Sequence, residues 1–217
     1  MKIFFEDNHI IVVQKPVNVL SQADETLSLD MVTMIKDYLK VTYHKPGEAY
    51  LGLIHRLDRP VGGVMVFAKT SKAASRLSEQ VRTHQFEKKY LAIARGQPEP
   101  GLYRDYLYKD RKSNTSRTVN KEHKEAKLAE LTIESVSPSA DHAYSRVLIS
   151  LKSGRSHQIR VQLASRGHPL WGDQRYNPES LKGQQIALWA YELSFYHPIT
   201  KEKLTFHSEP DSRYPFV

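Results

Sequence analysis

Short apolar runs rich in β-branched and aromatic residues recur along this chain, and the few helical stretches among them follow no regular strand–helix alternation. The runs include Ile10–Val13, Val64–Ala68, Phe86–Ala94, and stretches at 127–136, 143–151 and 188–206. Repeated βαβ units would dictate a parallel sheet; this pattern instead predicts an α+β fold with a mixed, mostly antiparallel sheet core in two lobes flanked by helices. Strands are expected at Lys2–Phe5 and Ile10–Val13, joined by a turn at Glu6–His9, with Lys15-Pro16 ending the second. Leu29, Val32, Ile35 and Leu39 predict an amphipathic helix over 28–40. Gly62-Gly63 reads as a chain break before the Val64–Ala68 strand. Ser71 reads as the N-cap of a helix reaching about His84, with Ala74, Leu77 and Val81 on one face. A short helix fits 157–166, with Gly167 beyond its end. A hairpin is expected around His197–Thr200, and Trp171 and Tyr176 read as packing residues. Residues 109–125 lack apolar periodicity and read as a mobile loop.

The chain has 217 residues, enough to bury a proper core. It reads as a single domain, 1–217, with the border between its lobes near 96–125. No apolar run approaches the roughly 20 residues that span a bilayer. The N-terminus turns acidic at Glu6-Asp7, unlike a signal peptide. There are no cysteines, which excludes disulfides, thiolate metal sites and cysteine nucleophiles and suits the cytoplasm, the expected location. The histidines show no zinc-ligand spacing, so no metal is expected, and no phosphate-cradling glycine motif is present.

Net charge is +8 and unevenly placed. Residues 55–95 hold nine Lys/Arg against three Asp/Glu, 104–127 hold eight against four, and 152–175 hold five against one. Clustered cations of this kind suit a phosphate backbone, although a solvated basic surface would read the same way. Two stretches stand out within them. The first, His55-Arg56-Leu57-Asp58-Arg59-Pro60-Val61-Gly62-Gly63, contains the only acidic residue between Glu48 and Glu79. The second runs Ser153-Gly154-Arg155-Ser156-His157-Gln158-Ile159-Arg160 and closes with Gly172-Asp173. A carboxylate among cations can act as nucleophile or base, and Arg155 and Arg160 are suited to hold a carboxylate and a phosphate. The bland reading of Asp58 is a structural ion-pair partner, and of Tyr90 a core strand residue.

The two motifs resemble those of the RluA-type family of RNA pseudouridine synthases, and the likeness extends from Glu6–His9 and Lys15-Pro16 to His197-Pro198. The resemblance implies a pseudouridine synthase-like fold with Asp58 as catalytic carboxylate. It implies Tyr90, in Lys88-Lys89-Tyr90, as the platform for the target uracil, Arg155 as the partner of Asp58, and Arg56 and Arg160 as further substrate-binding residues. RNA, ribosomal or transfer, is the implied partner. No cofactor, no membrane and no obligatory protein partner are implied, and a monomer is expected. Two departures stand out: Val61-Gly62-Gly63 replaces the frequent Thr-Ser-Gly, and Leu188-Trp189-Ala190 replaces Leu-His-Ala. The catalytic pattern starts at residue 3, so no RNA-binding domain is expected before it. Two other readings compete. One is an inactive RNA-binding protein on the same scaffold; the other is a glycosidase, which would need Asp173 as a second acid.

Overall fold

The computed structural model describes residues 1–44 and 46–210. It contains eleven strands and three helices: β1 (Ile3–Glu6), β2 (Ile10–Lys15), α1 (Met31–Thr42), β3 (Gly52–Leu53), β4 (Gly62–Ala68), α2 (Ser71–Arg82), β5 (Glu87–Arg95), β6 (Gly101–Asp110), β7 (Thr115–Val119), β8 (Lys127–Pro138), β9 (Tyr144–Leu151), α3 (Gln158–Ala164), β10 (Leu188–Tyr196) and β11 (Lys203–His207). The pairs β1–β2, β2–β4, β3–β4, β5–β9, β6–β7, β6–β8, β8–β9 and β10–β11 are all antiparallel, as the pattern predicts. Two compact units emerge, Met1–Glu87 with Ala190–Glu209, and Lys88–Trp189. The borders fall at 87/88 and 189/190 rather than near 96–125, because β5 pairs with β9 and the chain returns to the first unit only for its last two strands. Among the described residues no helix is long and apolar enough to cross a membrane.

In the first unit the strand order is β1-β2-β4-β10, with β3 on β4 and β11 on β10. Asp7 makes the first turn by accepting from the His9 and Ile10 amides, both at 2.7 Å. Alternate residues of β2 and β4, Ile10, Val12, Val64, Val66 and Ala68, pack with Leu193, Phe195 and the Ala73 and Leu77 face of α2. The residues between them, Ile11, Val13, Met65 and Phe67, are equally buried, so these strands are covered on both faces. Helix α1 is capped by Asp30, which accepts from Val32 N and Thr33 N, and it buries Met31, Ile35 and Leu39. Helix α2 is capped by Thr70, one residue before the expected Ser71. Gln80, buried on α2, pairs its amide with Tyr196 at both the N–H and the carbonyl.

Gly62-Gly63 does not break the chain; both glycines lie inside β4. Gly63 has φ +126°, and a Cβ there would sit 2.2 Å from the Ala190 carbonyl oxygen. The glycine is needed for a close backbone approach inside the sheet.

In the second unit the order is β5-β9-β8-β6-β7. Residues 109–125 are not a structureless loop, since β7 pairs with β6 from Tyr106↔Val119 to Asp110↔Thr115. The turn between them is held by Asp110, which accepts from Lys112 N at 2.9 Å, and by Arg175, which donates to the Ser113 and Asn114 carbonyls at 2.9 and 2.6 Å. Tyr176 does more than pack: its hydroxyl accepts from Ser116 N and meets His157 Nδ1, each at 2.7 Å. Helix α3 opens on His157 with φ 54° and buries every residue from Gln158 to Leu163. Gly167, at φ +82°, follows its last turn, with the Gly167 and His168 amides closing on Ala164 and Leu163.

Candidate active site

Asp58 sits at the first corner of a tight turn, in which Val61 N donates to the Asp58 carbonyl at 3.0 Å. The turn connects an extended segment to β4, so the carboxylate stands just before a fully buried strand, a rigid support for a loop residue. Its surroundings are partly open: Asp58 is half-buried, while Arg56 and Arg59 are exposed. Arg59 Nε donates to the Asn18 carbonyl at 3.3 Å. His55 Nε2 accepts from Val66 N at 3.2 Å and its ring meets Phe86 edge-on, which anchors the incoming chain.

Two residues the motifs did not single out bracket this turn. The Ser21 hydroxyl donates to the Leu57 carbonyl at 2.8 Å and accepts from the Leu57 amide at 3.0 Å. Lys15, at the end of β2 and opposite Gly63, is fully buried. Its ammonium donates to the carbonyls of Pro16 and Arg59, both at 3.0 Å, and of Val61 at 2.8 Å. Burial pushes this ammonium down to about 7; the Asp58 carboxylate pulls it upward and Arg59 pushes it down. In the sequence Lys15 closes a mostly apolar strand and belongs to the Lys15-Pro16 pair that carries part of the family resemblance.

The other expected site residues belong to the second unit. Tyr90 lies in β5 opposite Ile149 and is buried. Lys88, two residues earlier, has its ammonium held below the ordinary lysine range by burial, and a Cβ at Gly154 would stand 3.6 Å from its Nζ. Arg155 is exposed, and its Nε donates to the Leu128 carbonyl at 2.9 Å, a tether to β8. Arg160 is buried and bidentate on Asp173, Nε to Oδ2 at 2.8 Å and Nη2 to Oδ1 at 2.7 Å. Asp173 also accepts from the Arg175 and Tyr176 amides at 3.1 and 3.3 Å. A buried, ion-paired Asp173 cannot serve as the accessible second acid of a glycosidase.

Gln158 and Ser153 of the second motif are tied into the fold by hydrogen bonds. Gln158 accepts from Ser153 Oγ and Arg155 N at 2.8 and 3.0 Å, and donates to Glu130 O and Gln162 Oε1 at 3.0 and 2.9 Å. Gln162 donates in turn to Asp105 Oδ2 at 2.6 Å. A polar helix is thus buried with its side chains hydrogen-bonded, and it fixes the 153–157 loop.

Residues 9–165 match the family model described as RNA pseudouridylate synthase. The chain is 32% identical over 216 residues to the dual-specificity RNA pseudouridine synthase RluA of Escherichia coli (strain K12), covering 96% of this chain and 93% of that one. It is 30% identical to the tRNA pseudouridine synthase C of Vibrio cholerae, covering 97% and 91%. A Bacillus subtilis relative, the uncharacterized RNA pseudouridine synthase YhcT, is 32% identical, but this chain spans only 66% of its length. Among solved structures, human RNA pseudouridylate synthase domain containing 4 superposes with TM-score 0.79 at 21% identity, over 97% of this chain and 89% of that one. That likeness bears out the expected fold.

Proposed function

The chain belongs to the RNA pseudouridylate synthase family, and from that footing we propose that it isomerises selected uridines in ribosomal or transfer RNA to pseudouridine, with Asp58 as the catalytic carboxylate. The observation that carries the reading is the position of Asp58 within the family match, on a turn held to a buried strand and flanked by exposed arginines.

The reaction is an isomerisation: the N1–C1′ bond breaks, the freed uracil turns, and C5 bonds to C1′. The proton on C5 is lost and N1 gains one, so no redox partner or transferred group is required. One carboxylate beside the sugar can serve either as nucleophile at C1′ or as a base removing a sugar proton. The uridine must leave its stack to reach it, which calls for an aromatic platform and phosphate contacts. Tyr90 is assigned the platform, and Arg56, Arg155 and Arg160 the substrate contacts. Of these, Arg160 would act from the fixed position that Asp173 gives it, whereas exposed Arg56 and Arg155 suit phosphates. The chemistry supplies its own assay: tritium placed at C5 of uridine must be released to water. RNA binding without tritium release would favour the inactive RNA-binding protein instead.

The basic β6–β7 hairpin is assigned to RNA binding as well. Arg111, Lys112 and Arg117 are exposed there, as is Lys121 just beyond the end of β7. Replacing all four by Gln should weaken RNA binding and flatten its salt dependence, by about 0.7 in log–log slope for each phosphate no longer neutralised. Filter binding across a salt series measures this; an unchanged slope would show the hairpin to be merely a solvated surface.

A further inference from the structure

We propose that Lys88 is a catalytic residue of this reaction. Its ammonium meets a carbonyl oxygen of the uracil that lies on Tyr90 and holds the negative charge the base takes up as the N1–C1′ bond breaks. The inference rests on the isomerase reading, with Tyr90 as the platform. Lys88 and Tyr90 stand two residues apart in β5, so their side chains leave the same face of the strand, with Cα atoms about 7 Å apart. Lys89, between them, leaves the opposite face and meets Glu134 at 3.8 Å. Among the described residues no carboxylate or carbonyl meets the Lys88 ammonium, and burial alone holds it below the ordinary lysine range. Lys15, whose ammonium burial also lowers, differs in having three carbonyls around it.

A desolvated cation without an acceptor destabilises the fold that holds it, so its place is explained by an acceptor that arrives with the substrate. Beside the ammonium lies Gly154, in the second motif. Its φ is outside the left-handed region, so the backbone does not call for glycine there. A Cβ at this position would have the Lys88 Nζ at 3.6 Å and, its chain neighbours aside, no other described atom within 4 Å. Glycine therefore keeps the loop from covering the ammonium. Phosphates suit the exposed Arg56 and Arg155, whereas a half-buried, desolvated lysine suits the base, the part of the nucleotide that leaves the stack. Heterolysis of the N1–C1′ bond leaves the bonding pair on N1, and conjugation spreads the charge onto the carbonyl oxygens of the ring. The base of bound uridine carries no such charge. The ammonium thus interacts more strongly as the bond breaks, which raises kcat rather than affinity. The charge is discharged when C5 joins C1′, the C5 proton is lost and N1 gains one.

The test uses transcripts of ribosomal and transfer RNA carrying tritium at C5 of uridine. Tritium release at saturating protein gives the maximal single-turnover rate, filter binding across a salt series gives affinity, and thermal unfolding without RNA gives stability. Lys88→Met should lower the rate by about 10²- to 10³-fold and leave affinity and its salt dependence unchanged. It should also raise the thermal midpoint by about 2–4 °C, because an unsatisfied cation has been removed. That sign separates a catalytic lysine from a structural one, whose loss would lower the midpoint. An unchanged rate overturns the proposal, and so does a lower midpoint accompanying a lower rate. Weaker binding with a salt slope flatter by about 0.7 and an unchanged rate also overturns it, since Lys88 would then be a phosphate contact. If Lys88→Met does not fold, Lys88→Gln decides the matter, because it keeps a donor and loses the charge. A rate at least about tenfold lower supports the proposal, and a rate equal to the parent's overturns it. Parent protein that releases no tritium from any of these transcripts overturns the isomerase reading and the proposal with it. Active parent protein beside equally active Lys88→Met protein overturns the role of Lys88 alone.

Discussion

Asp58→Asn should lower the rate of uridine isomerisation by about 10²- to 10⁴-fold while RNA affinity stays close to that of the parent protein. The substitution keeps the size and planarity of the side chain and removes its charge, so the turn and its tethers from Ser21 and Lys15 remain available. Affinity should persist because it resides in the Lys and Arg side chains that meet phosphate. Single-turnover tritium release and filter binding on the same preparation separate the two quantities. Turnover above a few per cent of the parent would remove Asp58 from the mechanism. A second readout follows from the buried ammonium: the Asp58 charge offsets part of the burial that pushes Lys15 down, so its loss should lower the Lys15 pKa further.

Asp173→Asn or Arg160→Ala should destabilise the protein by about 3–5 kcal/mol, the ordinary cost of leaving one member of a buried ion pair alone. The pair qualifies on geometry: it is bidentate, and the side chains are 7% and 0% exposed. Replacing both together, Arg160→Met with Asp173→Leu, should cost much less, because no unpaired charge is left behind. Denaturant unfolding of the single and double variants measures this. Single variants within about 1 kcal/mol of the parent would show that water or another group compensates the charge. The prediction also tests the division of labour within the second motif, where Arg160 is held by Asp173 and Arg155 is exposed.

How far such features can be read from sequence depends on how local their causes are. The strands at β2, β4, β5, β8 and β9 are visible because apolar residues run continuously or alternate, and helices α1 and α2 because Ile35 and Leu39, and Leu77, stand in apolar series at helical spacing; the buried faces add Met31 and Ala73, whereas Leu29, read into the first helix, precedes it and is exposed. The β6–β7 hairpin is not visible in that way. Strand β7 lies at the end of its strand order, and its residues are mostly polar; its turn is fixed instead by Arg175, some 60 positions on. Gly62-Gly63 reads as a break because the reason for the glycine, the Ala190 backbone, is remote in sequence. The Asp58 motif is legible as chemistry, since a lone carboxylate in a basic strip stands out. Lys15 and Ser21 are not, because nothing in the type or spacing of either residue reveals which carbonyls it will meet. Arg155 and Arg160 look alike in sequence, and only the fold separates an exposed guanidinium tethered to Leu128 from a buried one paired with Asp173.

The order in which the two units are completed during synthesis follows from the connectivity. The unit carrying Asp58 takes Met1–Glu87 from the beginning of the chain and Ala190–Glu209 from much later in it, while strands β6 to β9 of the other all lie between Lys88 and Trp189. A ribosome adding about 5–20 residues per second therefore delivers β5 to β9 of the second unit before the first can obtain β10 and β11. Until then β4 lacks its β10 neighbour, and the Phe86 and Leu77 side chains await Phe195 and Leu193. The nascent chain must carry this unfinished apolar face for several seconds, and late, long-range pairing of that kind is slow to form. Chain termination just before residue 190 would leave the Asp58 turn attached to an incomplete sheet, so the earliest residues of the proposed site acquire their final support only with the last strands.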